Sequence, residues 1–166
     1  MGSIFVTLTI TNRADRILAD RGIISAELVR SIPLDRVLLD TGATTLCLPI
    51  DIIEQLGLEV LRDVEVEMAG GIERVRLFRD ATIALFDREG TFECLELPRN
   101  RSPLLGVIPL EALGIELDLQ KQTARTLPID PDNTYLTIKL SALGDRLSKT
   151  ATERARDDGR LPIAAL

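Results

Sequence analysis

Leu38-Leu39-Asp40-Thr41-Gly42-Ala43-Thr44-Thr45 is the stretch on which the reading of this chain turns. Two apolar residues precede an Asp, and small hydroxyl and glycine residues follow it. Residues 34–39 have strand character, so Asp40 falls at a strand end, where a sheet holds a carboxylate rigidly. Gly42 lets the backbone fold tightly and brings an N–H close to that carboxylate. The tripeptide alone is weak evidence. At average residue usage, Asp-Thr/Ser-Gly arises by chance in roughly one chain in fifteen of this length. An ordinary turn after a strand accounts for it equally well.

Working outward, residues 4–10 alternate and are β-branched, which predicts a strand, and residues 23–30 predict a second. Pro49 opens a segment, 49–56, of one or two helical turns that Gly57 closes. Val64-Glu65-Val66-Glu67-Met68 alternates cleanly, Ala69-Gly70-Gly71 is a turn, and 72–78 returns, so a hairpin is expected. Its second arm continues through 80–86, and a turn at 87–90 leads to a strand at 91–97. A loop spans 98–103, then Leu104-Leu105-Gly106 precedes a short helix at about 109–113 that Gly114 ends. Residues 115–119 and 123–127 predict two short strands. The Pro and Asp residues at 128–132 mark a boundary. The reading is therefore a domain over 1–128, followed by a tail over 129–166 with a strand at 134–140. Many short strands with one brief helix make the fold class all-β and barrel-like.

Composition narrows the chemistry. The chain of 166 residues has no His, which removes Ser–His–Asp and Cys–His nucleophilic catalysis and His-ligated zinc. No cofactor and no metal are expected. The net charge of −6 argues against a nucleic-acid partner. Cys47 and Cys94 form no CxxC pair and are expected to be buried free thiols. The first residues, Met1-Gly2-Ser3-Ile4-Phe5-Val6, have neither a basic region nor a long apolar run. The expectation is a soluble, cytoplasmic chain without a membrane partner. With no Trp and 3% aromatic residues, the core must be aliphatic.

The octet around Asp40 resembles the active-site stretch of the retropepsins, the retroviral-type aspartic proteases, in which Ala usually follows the Gly. Two further features follow in the family's order. Met68-Ala69-Gly70-Gly71-Ile72 resembles the glycine-rich flap that closes over substrate, and Leu104-Leu105-Gly106 resembles the apolar-apolar-Gly segment before the family's helix. The resemblance covers about residues 4–127. Retroviral members continue with an Arg and then Asn or Asp, and that Arg helps tie the dimer together. Here Val107 and Ile108 stand instead, and a stretch like Leu110-Glu111-Ala112-Leu113-Gly114 is closer to bacterial members.

What the resemblance implies is a closed, barrel-like acid-protease fold with a flap hairpin. It makes Asp40 the catalytic carboxylate, with Thr41 and Gly42 supporting it. Ala43, Met68, Gly70, Gly71 and Ile72 become substrate-binding residues, with Leu38, Leu104 and Ile108 as apolar liners. Aspartic peptidases need two carboxylates sharing one proton. No second Asp-Thr/Ser-Gly occurs in the chain, so Asp40 is expected to meet Asp40 of a second copy across a twofold axis. Two charges ~3 Å apart at an effective dielectric of ~20 repel by roughly 5 kcal/mol, which holds one proton on the pair through a broad acidic window. Two other readings remain open at this point. One is a catalytically silent peptide-binding or dimerisation module on the same fold. The other is a monomeric barrel with an incidental Asp-Thr-Gly.

Overall fold

The computed structural model describes residues 3–128, which form mostly β-sheet with few helices. The elements run β1 (Ile4–Asn12), α1 (Arg13–Asp20), a 3-10 turn (Ala26–Leu28), β2 (Ser31–Leu39), β3 (Leu46–Pro49), α2 (Ile50–Leu56), β4 (Val60–Met68) and β5 (Gly71–Leu85). They continue through β6 (Arg88–Leu97), β7 (Leu104–Leu105), α3 (Val107–Ala112), β8 (Ile115–Asp118) and β9 (Thr123–Thr126). Seven strands share one sheet in the order β1-β2-β7-β3-β6-β5-β4, and β1 also pairs with β5. β8 and β9 form a separate antiparallel pair. The strand expected at 134–140 lies outside the described residues. No helix among the described residues is long and apolar enough to cross a membrane.

The period-2 pattern explains most strands. Along β1, Ile4, Val6, Leu8 and Ile10 are buried while Phe5 and Thr7 face out. β5 is one strand of 15 residues, kinked where the register slips between Phe78 and Ala81. Asp80 there has φ +65°, and the Arg79 N–H leaves the ladder to donate to Glu59 O at 3.1 Å. This bulge separates the two arms expected at 72–78 and 80–86. It lets one strand serve β4 at its start and β1 near its end. The turn that follows is Phe86-Asp87, tighter than the expected 87–90, with Leu85 opposite Arg88. The core is aliphatic, with Ile10, Val37, Leu46, Leu48, Ile83, Leu85 and Leu105 fully buried.

The strand expected at 23–30 is not formed, and the chain holds α1 besides the helical turns expected at 49–56 and the brief helix expected at about 109–113. Asn12 caps α1, its side chain accepting from the Asp15 N–H at 3.2 Å. Ile23 and Ile24 donate their N–H groups back to Leu18 O, and Ser25 caps the 3-10 turn. The amides a strand would have used are thus consumed by the end of the helix. Arg30 completes the loop. Its backbone N–H and its guanidinium both donate to Asp15, at 3.1, 2.6 and 2.8 Å. Asn12 Nδ2 donates to Leu56 O at 2.9 Å and Gly57 O at 3.2 Å, so the same knot caps the far end of α2. Gly57 takes the left-handed conformation there, φ +59°.

Hydrogen bonds from the Arg30 side chain, followed by its backbone N–H and its charge, outweigh burial and hold the Asp15 carboxyl below its ordinary value. The folded state therefore favours the ionised form. Its contribution is present above the unfolded carboxyl value, about pH 4, and is lost as pH falls through the folded one. Asp15→Asn is expected to lower the urea midpoint at pH 7, with the gap to the native chain narrowing steadily below about pH 4. A gap independent of pH would show that the ion pair does not stabilise the fold.

Candidate active site

The site is built where three strands meet. β7 is only two residues long, yet it lies between β2 and β3, parallel to the first (Leu38↔Leu104, Leu39↔Leu105) and antiparallel to the second (Leu46↔Leu105, Cys47↔Leu104). Residues 40–45, which join β2 to β3, must therefore loop around the end of β7. Asp40 N–H donates to Leu105 O at 3.0 Å, Gly106 N–H to Thr45 O at 3.0 Å, Val107 N–H to Ala43 O at 2.9 Å and Ile108 N–H to Thr44 O at 3.0 Å. The loop is bolted to the start of α3 by main-chain bonds alone, so its position does not depend on side-chain rotamers.

Within the loop, the Gly42 N–H donates to Asp40 Oδ1 at 2.8 Å, and Ala43 N–H to Asp40 O at 3.1 Å. The carboxylate is half-buried, with one oxygen committed to this turn. It faces a cleft of about 660 Å³, walled by Gly42, Ala43 and Thr44 on one side and by Leu95, Leu97 and Leu104 on another. Cys47 of β3, with Glu65, Val66, Glu67 and Met68 of β4 and Ala69 of its turn, completes the lining. The hairpin β4–β5 closes through the two-residue turn Ala69-Gly70, with Met68 opposite Gly71, and Gly71 has φ +122°. Three carboxylates, Asp40, Glu65 and Glu67, and no basic residue line the cleft.

Of the residues expected at the site, Asp40, Gly42, Ala43, Met68 and Leu104 line this one cleft. Thr41 and Leu38 line a neighbouring groove that also includes Asp40. Gly70, Gly71 and Ile72 do not line the cleft; they lie at the hairpin tip, and Ile72 is exposed. Ile108 is also exposed and lines neither. Leu95 and Leu97 were missed by sequence reasoning, because β6 reaches the cleft only through its parallel pairing with β3. A smaller cavity of about 230 Å³ adjoins, sharing Met68 and Leu97 as its partition.

Cys47 is in the cleft and Cys94 in the core, and both are free thiols. The register pairs Cys47 with Leu95 and Leu46 with Cys94, so the two sulfurs leave opposite faces of the sheet. Burial, and secondarily the Asp40 charge, push the Cys47 thiol up to about 11. At neutral pH it is a protonated wall of the cleft and not a nucleophile. Among the described residues, no group of three or more His, Cys, Asp or Glu is arranged to hold a metal ion. No family model matches the chain, and no curated protein matches it.

The tightest main-chain approach at the site is Gly106. A Cβ there would lie 2.6 Å from Ala43 O, Thr45 N and Thr45 O, all main-chain atoms. Gly106→Ala is expected to destabilise the fold by about 1–3 kcal/mol in urea unfolding, as overpacking does. Gly70→Ala, which meets only the end of Glu73 at 3.9 Å, is the matched control and is expected to be near neutral.

Proposed function

We propose that this chain is one protomer of a retropepsin-like aspartic endopeptidase, and that the Asp40 carboxylates of two copies activate the water that cleaves a peptide bond. The observation that carries the reading is the convergence on one cleft of Asp40, the loop that fixes it and the overhanging β4–β5 hairpin. The Leu104-Leu105-Gly106 segment supports it by anchoring that loop. The β1–β5 pairing, which joins the first strand to the far side of the sheet, supports a closed barrel. The β4–β5 hairpin is the flap of this reading.

The chemistry follows from two carboxyl groups with one proton between them. The ionised group takes a proton from water as its oxygen attacks the carbonyl carbon. The protonated group donates to the carbonyl oxygen. Collapse of the tetrahedral adduct breaks the C–N bond, and a proton passes to the leaving nitrogen. Gly42 N–H fixes the carboxylate through one oxygen, which leaves the other to face water. An extended peptide fits such a cleft because its main chain can pair with strand edges while alternate side chains meet the apolar wall. Val66, Leu95, Leu97 and Leu104 provide that wall.

The absence of an Arg after Gly106 favours a second reading, a catalytically silent peptide-binding or dimerisation module. Both readings meet in one experiment. A mixed peptide library is incubated with the native chain and with Asp40→Asn from pH 3 to 8. The expected result is cleavage with a bell-shaped pH profile centred below neutral, reduced at least about a thousandfold in the variant. Cleavage that survives Asp40→Asn, or a flat profile, would overturn the aspartic mechanism. Binding without cleavage would favour the silent module.

A further inference from the structure

β5 and β6 part company before Leu77. Their ladder runs as far as Leu77↔Leu95 and stops there, while β4 and β5 stay paired out to Met68↔Gly71. The Glu96 side chain stands where the next rung would be. Its carboxylate accepts from the Arg76 N–H at 2.8 Å, and from Arg76 Nε and Nη2 at 2.9 and 2.7 Å. The cavity of about 230 Å³ opens in this wedge, with apolar walls from Met68, Val75, Leu97 and Pro98. Met68 and Leu97 line the cleft as well, so the two spaces meet across them. The charged groups of the pocket are Glu73, Arg76 and Glu96. Arg76 is committed to Glu96, and Arg74 next to it pairs with Asp63 at 3.0 Å. Glu73 makes no hydrogen bond or ion pair with the described residues. It stands opposite Val66, so it shares one face of the hairpin with Val66, Met68 and Val75.

We propose that this side pocket receives a Lys or Arg side chain of the peptide held in the cleft, and that the Glu73 carboxylate selects it. The inference rests on the proposed endopeptidase reading, from which it takes an extended peptide as the occupant of the cleft. A side chain that passes Met68 and Leu97 leaves the cleft for the pocket. Its stem then meets apolar walls, and its tip meets a carboxylate with no other partner. Lys and Arg are built that way, with a long aliphatic stem and a charged head. An acidic tip fails on two counts. It is repelled by Glu73, and the pocket's one cation is already held by three hydrogen bonds to Glu96. A wholly apolar side chain would desolvate Glu73 without pairing it. Two carboxylates against one guanidinium leave the lining with one uncompensated negative charge. The adjoining cleft adds Asp40, Glu65 and Glu67 and no cation, so the field of both spaces draws a basic group. Glu73 lies away from the bond that breaks, and it sets which peptide is cut rather than how the bond is cut.

The test is cleavage of a positional-scanning peptide library by the full native chain, Glu73→Gln, Glu73→Lys and Glu111→Gln. Binding of the same library to Asp40→Asn, with and without Glu73→Gln, is measured in parallel. Glu111 is exposed on α3 and lines neither the cleft nor the side pocket. At one peptide position the native chain and Glu111→Gln are expected to favour Lys and Arg over norleucine by about fivefold or more in kcat/KM. Norleucine keeps the aliphatic stem and lacks the charge. Glu73→Gln is expected to bring that ratio close to one, and Glu73→Lys to turn the preference toward Asp and Glu. The native ratio should also shrink as salt is raised. Thermal melts check that each variant is folded. Asp40-dependent cleavage with no basic preference at any position, or with one that Glu73→Gln leaves intact, would overturn the subsite and leave the endopeptidase standing. Glu73-dependent enrichment of Lys and Arg among bound peptides, with no cleavage by the native chain, would support the pocket and sink the endopeptidase. Neither cleavage nor enrichment would overturn both.

Discussion

Gly106 packs its α-carbon against the main chain of Ala43 and Thr45 more closely than any other residue type allows. The rest of the site depends on that approach. It lets β7 slide between β2 and β3, and it lets the 40–45 loop exchange four main-chain hydrogen bonds with residues 105–108. Asp40 is thereby held from two directions, by the ladder of β2 before it and by the loop after it. A carboxylate so fixed needs no reorganisation when charge develops nearby, which is the form of preorganisation that catalysis rewards. The aliphatic core beneath it, filled by Val37, Leu46 and Leu105, keeps the three strands from shearing apart.

The Asp40 loop opens on the hairpin cleft to one side and on the neighbouring groove, which includes Leu119, to the other. The first is roofed by the chain's own β4–β5 arm. The second has no roof from the described residues, and its apolar floor faces water. The two differ in character: the carboxylates of the cleft are its only charged lining groups, and the groove is mostly apolar. The polar knot of Asn12, Asp15, Arg30 and Gly57 plays no part in either. It secures the α1 excursion to the end of α2, so that β1 and β2 can pair despite the residues inserted between them.

Much of this was legible from residue order. The alternation in 4–10 and 64–68 marked β1 and β4, and Gly57 and Gly114 marked helix ends. Asp40 at a strand end followed from the apolar run before it. The failure at 23–30 had a readable cause. Asn12 and Asp15 at the start of 13–20, with Gly22 after it, form a helix signature that outranks the β-branched residues downstream. Those residues looked like a strand because Ile23, Ile24, Leu28 and Val29 are apolar, yet Ile23 and Leu28 stay exposed. The cleft was only partly legible. Met68 was visible from the hairpin, but Leu95 and Leu97 arrive through a parallel pairing between segments 48 residues apart, which local pattern does not encode. The hairpin tip stands apart from the cleft lining. Glycines at 70 and 71 suggest substrate contact from sequence, and the chain lines its cleft with the β4 arm and Ala69 beside them.

The central claim is that two Asp40 side chains serve one active site, and subunit mixing tests it most directly. Native chain and Asp40→Asn are unfolded together in varying ratios, refolded so that subunits assort at random, and assayed for peptide cleavage at constant total protein. If both carboxylates are required, activity falls as the square of the native fraction, because a dimer with one Asn cannot share a proton between two carboxylates. A linear fall would contradict the account. Each chain would then cut alone, and Glu65 or Glu67 of its own hairpin would have to be the second carboxylate.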